Sequence, residues 1–260
     1  MKLAEKVIVV TGGANGIGRA LCQRFALESP RGIVVADLDF DKAQQVADEI
    51  GGLAVACDVA QEEQIQQLVA DTESKYGPID LFCANAGILI QGGPELPDDQ
   101  WRRIFDINVM AHVYSARAVI PGMLERGQGY LLHTASAAGL LTELSSVSYA
   151  VTKHGAVAFA EWLEMTYGDR GIKVSCICPQ GVWTDMLVSD HPAAKKLQEN
   201  AIRPEALADL VVQSIDVEEF LILPHKEVRK FFQHKASDYD RWLRGMKRLR
   251  AEIFEGESKA

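Results

Sequence analysis

Short apolar runs rich in β-branched residues alternate along the chain with longer segments in which apolar residues recur every three or four positions. Seven of these runs are nearly continuously apolar, which is typical of parallel strands buried on both faces. They cover residues 7–10, 33–36, 54–57, 79–84, 129–134, 173–178 and 220–223. The pattern predicts an α/β fold: a single doubly wound Rossmann-like domain with a parallel seven-stranded sheet and helices on both faces.

The character of the chain changes after the last apolar run. Apolar residues from Val228 to Leu249 recur at helical spacing, and lysine and arginine fill most positions between them. We therefore expect a catalytic domain over residues 1–224 and a basic helical extension over residues 225–260. The extension is expected to pack on its own domain or on a neighbouring subunit, in preference to an anionic membrane surface.

Composition and charge narrow the function. The 260 residues are 48% hydrophobic and carry a formal net charge of −9, which disfavours nucleic-acid binding. No apolar stretch approaches the roughly 18 residues that span a bilayer, and no secretory signal precedes the first strand, so we expect a cytoplasmic protein. The five cysteines form no Cys-x-x-Cys pattern, and the six histidines are scattered. We therefore expect reduced thiols and no catalytic metal.

A glycine-rich loop lies between the first strand and the first helix. Residues 11–18 read TGGANGIG. Glycines there allow positive φ and let backbone N–H groups approach a pyrophosphate at the helix N-terminus. A structural turn is the alternative, but the strand–loop–helix context favours a dinucleotide site.

The second strand ends in Asp37, which lies 37 − 18 = 19 residues after Gly18. This is close to the offset of about 20 at which an acidic side chain meets the adenosine ribose. A carboxylate there favours NAD and repels the 2′-phosphate of NADP, and Asn15 supplies no cation to offset that repulsion. The alternative is a solvated acid beside Asp39 and Asp41.

The loop resembles the TGxxxGxG motif of the short-chain dehydrogenase/reductase family, in its classical subgroup. Two further matches follow in chain order, Asp58 with Val59 and then the sequence Asn85, Ala86, Gly87. The resemblance extends over about residues 5–224 and implies hydride transfer with a nicotinamide cofactor and assembly as a homodimer or homotetramer. The implied cofactor contacts are Gly12, Asn15, Gly16, Ile17, Gly18, Asp37, Asp58, Val59, Asn85, Ala86, Gly87, Tyr149, Lys153, Pro179, Gly181, Val182 and Thr184.

Ser136, Tyr149 and Lys153 are the candidate catalytic residues. A helix from about residue 147 sets Tyr149 and Lys153 one turn apart on the same face, where the ammonium is expected to lower the phenol's pKa from its usual value near 10. Tyr149 can then act as general acid/base, while the Ser136 hydroxyl holds the substrate oxygen. Tyr-x-x-x-Lys pairs also occur on exposed helix faces, so the assignment depends on the serine 13 residues upstream and on the other motifs.

Two further positions concern the same site. The resemblance implies that Asn108 is a fourth catalytic residue that helps hold a water-linked proton path to Lys153; a hydrogen bond inside a helix is the alternative. The family usually has Pro-Gly after the sixth strand, whereas this chain has Pro179, Gln180 and Gly181. We expect cofactor binding to survive this change and Gln180 to reach the substrate, and we expect Trp183 to be a packing or pocket residue.

The segment 185–200 lies where the family has a mobile substrate loop. Its apolar residues, together with residues 88–90, Leu140 and Leu141, predict a lid over a hydrophobic cavity. One alternative is that the segment simply packs on the protein. Because Lys195 and Lys196 are positively charged, an anionic substrate is a second alternative.

The sequence therefore predicts an NAD-dependent oxidoreductase that interconverts a hydrophobic secondary alcohol and a ketone. The alternatives are an NADPH-dependent carbonyl reductase and a non-catalytic NAD-binding regulatory protein. The carboxylate of Asp37 disfavours NADPH and so argues against the reductase. The presence of all four candidate catalytic residues argues against the regulatory protein. A third alternative is an epimerase or dehydratase of the family's extended subgroup, which uses the same Tyr-x-x-x-Lys pair. Those chains are usually longer, so the length of 260 residues disfavours it.

Overall fold

A seven-stranded parallel sheet forms the centre of the computed structural model, which describes residues 1–255. The strand order is β3-β2-β1-β4-β5-β6-β7. The strands are β1 Val7–Thr11, β2 Gly32–Asp37, β3 Leu53–Ala56, β4 Leu81–Ala84, β5 Gly129–Thr134, β6 Ile172–Ile177 and β7 Leu221–Ile222. The order reverses between β1 and β4, so their carboxyl ends form the crevice in which such sheets bind ligands.

The helices connect the strands and cover both faces of the sheet. They are α1 Gly16–Ala26, α2 Phe40–Ile50, α3 Glu62–Tyr76, α4 Asp98–Phe105, α5 Ala111–Arg126, α6 Val147–Tyr167, α7 Pro192–Gln198, α8 Pro204–Asp216, α9 Glu227–Ser237 and α10 Tyr239–Glu255. A π-helical turn over Asp106–Met110 joins α4 to α5.

Strand β1 shows why the strands are continuously apolar. Val7 and Val9 pack into the core beneath α3, α5 and α6, whereas Ile8 and Val10 pack into the core beneath α1, α2 and α8. Both faces of each central strand are therefore buried, and every position needs an apolar side chain. The predicted α/β fold is confirmed, with strand boundaries shifted by one or two residues; β7 is shorter than predicted.

The basic segment forms α9 and α10, and residues 256–260 of the predicted extension lie outside the described residues. A buried lysine fixes α9 to the rest of the chain, because Lys235 Nζ donates to the Leu140 carbonyl at 2.7 Å and lies 3.5 Å from His154 Nε2. Trp242 of α10 packs at the edge of the core. Of the α10 residues whose burial the structure describes, 239–254, none is buried.

Candidate active site

The loop after β1 leaves no room for side chains at its glycines. A Cβ on Gly18 would lie 2.0 Å from the Gly12 carbonyl oxygen, and Gly12 has a φ of +64°. The loop therefore holds its backbone close to the start of α1, as required of a loop that presents N–H groups to an anion.

Asp37 ends β2 beside this loop. Its carboxylate accepts hydrogen bonds from the backbone N–H groups of Ala14 and Asp39, both at 3.0 Å. The nearby Lys42 ammonium is held by Asp39 at 3.0 Å. Asp37 is thus oriented by two backbone donors and lines the cavity that the loop borders.

Asn85 joins three strand ends at the crevice. Its amide nitrogen donates to the Thr11 carbonyl at 3.0 Å, and its amide oxygen accepts from the Thr134 hydroxyl at 3.0 Å. The ends of β1, β4 and β5 are therefore tied together beneath the cofactor loop.

A cavity of about 490 Å³ runs along the carboxyl ends of the strands, and we call it the main cavity. All predicted cofactor residues line it, and so do Ser136, Tyr149 and Lys153. Asn108 is the exception, since it is fully buried and does not line the cavity. The structure thus brings together nearly every predicted site residue, although many are more than 100 positions apart.

Helix α6 presents Tyr149 and Lys153 to the cavity. The Ser146 hydroxyl caps the helix by accepting from the Tyr149 N–H at 3.1 Å, which fixes the first turn. Lys153 is 3% exposed, its Nζ donates to the Thr134 carbonyl at 2.9 Å, and it lies 5.5 Å from the Tyr149 ring centroid.

The pKa of Tyr149 lies above its usual value in this structure, and not below it as the sequence predicts, because burial outweighs the other effects. Burial raises the pKa of Tyr149 to about 12, although its hydrogen bond with Ser136 opposes the rise. Burial also lowers the pKa of Lys153 to about 8. Desolvation disfavours both charges, and the ammonium is directed at the Thr134 carbonyl.

Ser136 and Asn108 are the other two predicted catalytic residues, and each is held by hydrogen bonds to the backbone. The Ser136 hydroxyl accepts from Ala138 N–H at 3.1 Å and donates to the Pro179 carbonyl at 3.4 Å. Asn108, within the π-helical turn, hydrogen-bonds both backbone groups of Ile88 at 2.9 Å. A Cβ on Gly87 would lie 3.3 Å from Lys153 Nζ and 3.4 Å from Asn108 Oδ1, so both side chains border Gly87.

The loop after β6 accommodates Gln180, which stands where the family usually has glycine. His225 Nδ1 accepts from the Gln180 N–H at 3.1 Å, and Gln180 lines the main cavity. A Cβ on Gly181 would lie 2.5 Å from the Leu197 carbonyl oxygen, so the next position needs glycine. Trp183, predicted to be a packing or pocket residue, is 40% exposed and lines neither described cavity, so the structure does not make it a pocket residue.

The substrate end of the cavity differs in part from prediction. Ile88, Leu89, Leu141 and much of the segment 185–200 line it, but Ile90, Leu140 and Val188 do not. Leu140 is buried in the core, and Val188 is 65% exposed. Sequence reasoning missed Arg103, Thr142 and Glu143, which also line the cavity; no local spacing indicates them.

A buried histidine pair was also missed. His112 on α5 and His133 on β5 approach to 2.8 Å between their Nδ1 atoms, and the Nε2 atom of each has no hydrogen-bond partner within residues 1–255. Burial lowers the pKa of His133 to about 4 and lowers that of His112 well below its usual value. Their separation of 133 − 112 = 21 residues gives no motif.

This pair should make the fold sensitive to acid. A depressed native pKa means that the unfolded chain binds more protons between pH 6.5 and about 4, so stability is complete above pH 6.5 and falls as the pH drops through that window. Because the shift of His133 alone corresponds to about 2 kcal/mol between pH 7 and pH 5 and His112 adds to it, we expect the free energy of unfolding of the double variant His112→Leu/His133→Leu to fall by at least about 2 kcal/mol less than that of the wild type over this range, measured by urea unfolding. Substitution of the exposed His234 by leucine should leave the loss unchanged. Equal losses in the double variant and the wild type would contradict this account.

Other parts of the described chain add no second chemistry. All five cysteines are free and buried. Residues 1–255 contain no group of three or more histidine, cysteine or acidic residues placed to hold a metal ion. Over the same residues, no helix has the length and apolar character needed to cross a membrane.

Comparison with known proteins gives consistent matches. The family model described as short chain dehydrogenase matches residues 6–195. The chain is 34% identical over 238 residues to 1-deoxy-11-beta-hydroxypentalenate dehydrogenase of Streptomyces exfoliatus, covering 88% of this chain and 86% of that protein. It is 32% identical over 221 residues to cyclohexanol dehydrogenase of an Acinetobacter species, covering 81% of this chain and 87% of that protein.

Solved structures agree on the fold. A short chain dehydrogenase/reductase from Burkholderia phymatum, crystallised in complex with NAD, superposes with a TM-score of 0.86 at 26% identity, covering 92% of this chain and 96% of that one. A short-chain type dehydrogenase/reductase from Mycobacterium marinum gives a TM-score of 0.79 at 26% identity, covering 85% and 94%.

Proposed function

The chain belongs to the short-chain dehydrogenase family and is an alcohol dehydrogenase acting on CH–OH groups, and from this premise we propose that it uses NAD to interconvert an apolar secondary alcohol and a ketone, with Tyr149 as general acid/base. The observation that carries the proposal is the main cavity, in which the glycine loop and Asp37 lie at one end and Ser136 and Tyr149 at the other. The names of the two relatives, which act on cyclohexanol and on a hydroxypentalenate, support a cyclic or otherwise apolar substrate.

The residues present fit a nicotinamide dinucleotide. The glycines whose Cβ atoms would clash leave a backbone cradle for the pyrophosphate at the start of α1, and the Asp37 carboxylate can accept from ribose hydroxyls. When bound, oxidised nicotinamide would supply a hydride acceptor and a positive charge. The charge of Asp37, with Lys42 held by Asp39, supports NAD over NADP.

The chain's own groups supply the proton chemistry. In alcohol oxidation the Tyr149 phenolate takes the hydroxyl proton, and in ketone reduction the phenol returns it. The Ser136 hydroxyl orients the substrate oxygen. Lys153 keeps positive charge next to the phenol, and Asn108 positions Ile88 and the neighbouring backbone. The desolvated phenol needs the nearby positive charge to ionise, since burial alone raises its pKa.

A screen of secondary alcohols tests the activity. We expect cyclohexanol and similar apolar alcohols to drive formation of NADH, followed by its absorbance, with much slower turnover when NADP replaces NAD. Reduction of NADP at the same or a higher kcat/KM would favour the carbonyl-reductase alternative. Binding of NAD without turnover of any alcohol would favour the regulatory alternative.

We further propose that residues 1–224 form the catalytic domain, that α9 and α10 extend it, and that the protein acts in the cytoplasm as a homodimer or homotetramer. Helix α6 supports self-association, because Val151, Trp162 and Met165 expose one apolar stripe, with Trp162 52% and Met165 78% exposed. Sedimentation at micromolar concentration should give a dimer or tetramer, and a monomer for Trp162→Asp. A monomeric wild type would contradict the assembly.

A further inference from the structure

A second cavity, which we call the tail chamber, lies between the main cavity and the C-terminal helices. Its volume is about 520 Å³. One wall is the inner face of α10, where residues recur at helical spacing. Those residues are Trp242, Gly245, Met246, Leu249 and Ile253.

The tail chamber adjoins the substrate end of the main cavity. Six residues line both spaces, namely Leu141, Thr142, Glu143, Gln180, Ala193 and Leu197. No residue predicted to contact the cofactor lines the tail chamber. It therefore extends the site on the side of the substrate and away from the nucleotide.

The volume of the tail chamber affects the size of substrate that the site can hold. The main cavity of about 490 Å³ is lined by both the cofactor residues and the substrate residues, so a bound dinucleotide takes much of it. The space left for the substrate is correspondingly smaller than the whole cavity. The tail chamber roughly doubles the available volume, and its walls are mostly apolar, although Lys196, Arg241 and Arg248 also line it.

The packing of α10 also indicates that the tail chamber is part of the site. Its amphipathic sequence would ordinarily bury its apolar face in a core, yet none of its residues 239–254 is buried. Its face covers a cavity instead. Lys235 secures the neighbouring helix α9 through the Leu140 carbonyl, so the arrangement is anchored to the segment that follows Ser136.

We propose that the tail chamber binds the distal apolar part of the substrate, which is therefore a secondary alcohol or ketone with a long or multi-ring apolar body. This inference rests on the proposed function, because it takes the reacting carbon to lie beside Tyr149. The shared wall of Ala193, Leu197 and Leu141 then contacts the middle of the substrate.

Gly245 offers a direct test. A Cβ there would meet nothing closer than Arg248 at 4.0 Å, so a larger side chain can enter the chamber without displacing the helix. Arg244 is the matched control, since it lies on the same helix, is exposed and does not line the chamber. We compare wild type, Gly245→Leu and Arg244→Leu.

Calorimetric titration of ketones in the presence of NAD⁺ reads binding without turnover, because the mixture holds no hydride donor. For wild type we expect 2-decanone to bind at least 100-fold more tightly than 2-butanone, since each buried methylene is worth about fourfold. Gly245→Leu should lower the affinity for 2-decanone at least tenfold and change the affinity for 2-butanone by less than twofold. Arg244→Leu should change neither.

Equal affinity of wild type and Gly245→Leu for 2-decanone would overturn the proposal, and so would similar affinities of wild type for the two ketones. A thermal melt checks folding, and Gly245→Ala provides a smaller change that should give the same ordering. Turnover of 2-butanol with NAD is measured in parallel. Its absence in wild type would count against the proposed function, while the ketone affinities still decide the role of the chamber.

Discussion

Tyr149→Phe should lower kcat by at least about 100-fold while the dissociation constant of NAD changes by less than twofold. The substitution removes only the phenolic oxygen, and general acid/base catalysis contributes roughly 10² to 10⁴ in rate. The ring remains to pack beside Lys153, which lies 5.5 Å from its centroid. Steady-state kinetics and fluorescence titration of NAD measure the two quantities.

Tyr114→Phe is the matched control, because Tyr114 lies on α5, lines neither described cavity and has no hydroxyl hydrogen bond within residues 1–255. Its kcat should equal that of the wild type. Substantial activity in Tyr149→Phe would show that the proton is transferred by another group, and the proposed mechanism would then be wrong.

Asp37→Ala should lower the ratio of kcat/KM for NAD to kcat/KM for NADP by about 100-fold. A hydrogen bond to a charged group is worth roughly 1.5–3 kcal/mol, and the substitution also removes the repulsion of a 2′-phosphate. The Ala14 and Asp39 N–H groups lose their acceptor as well. Some loss of activity with both cofactors is therefore expected, which is why the ratio is the measured quantity.

Asp41→Ala removes the same charge four residues away, at a position that does not line the main cavity. Its cofactor ratio should match the wild type. If Asp37→Ala changes the ratio by less than threefold, Asp37 does not select the cofactor.

The strands, the glycine-rich loop between β1 and α1, and the shared face of Tyr149 and Lys153 could be predicted from sequence because each depends on neighbours in the chain. Val7 to Val10 are apolar because both faces of β1 are buried, and Tyr149 and Lys153 share a face because they are four residues apart on a helix. The parallel topology then carries the ends of all strands to one edge. Motifs that follow strands therefore converge without any need to know the distances between them.

The rest depends on contacts that are distant in sequence. His112 meets His133, and Lys235 meets Leu140, with no pattern that links either pair. The pKa of Tyr149 could not be predicted from its spacing to Lys153, because the burial that raises it is a property of the assembled site. The sequence likewise assigned Leu140 to the substrate cavity, whereas the fold places it in the core beneath α9.

The anchoring of α9 by Lys235 has a consequence for how the two ends of the site can vary. The nucleotide end of the predicted site is built largely from the first 90 residues, whereas α9 and α10, which complete the wall beside the substrate end, begin only at residue 227. The two ends of the site are thus encoded by parts of the chain that lie far apart. Substitutions in α9 or α10 can therefore reshape the substrate side while the strands that form the nucleotide side keep their packing.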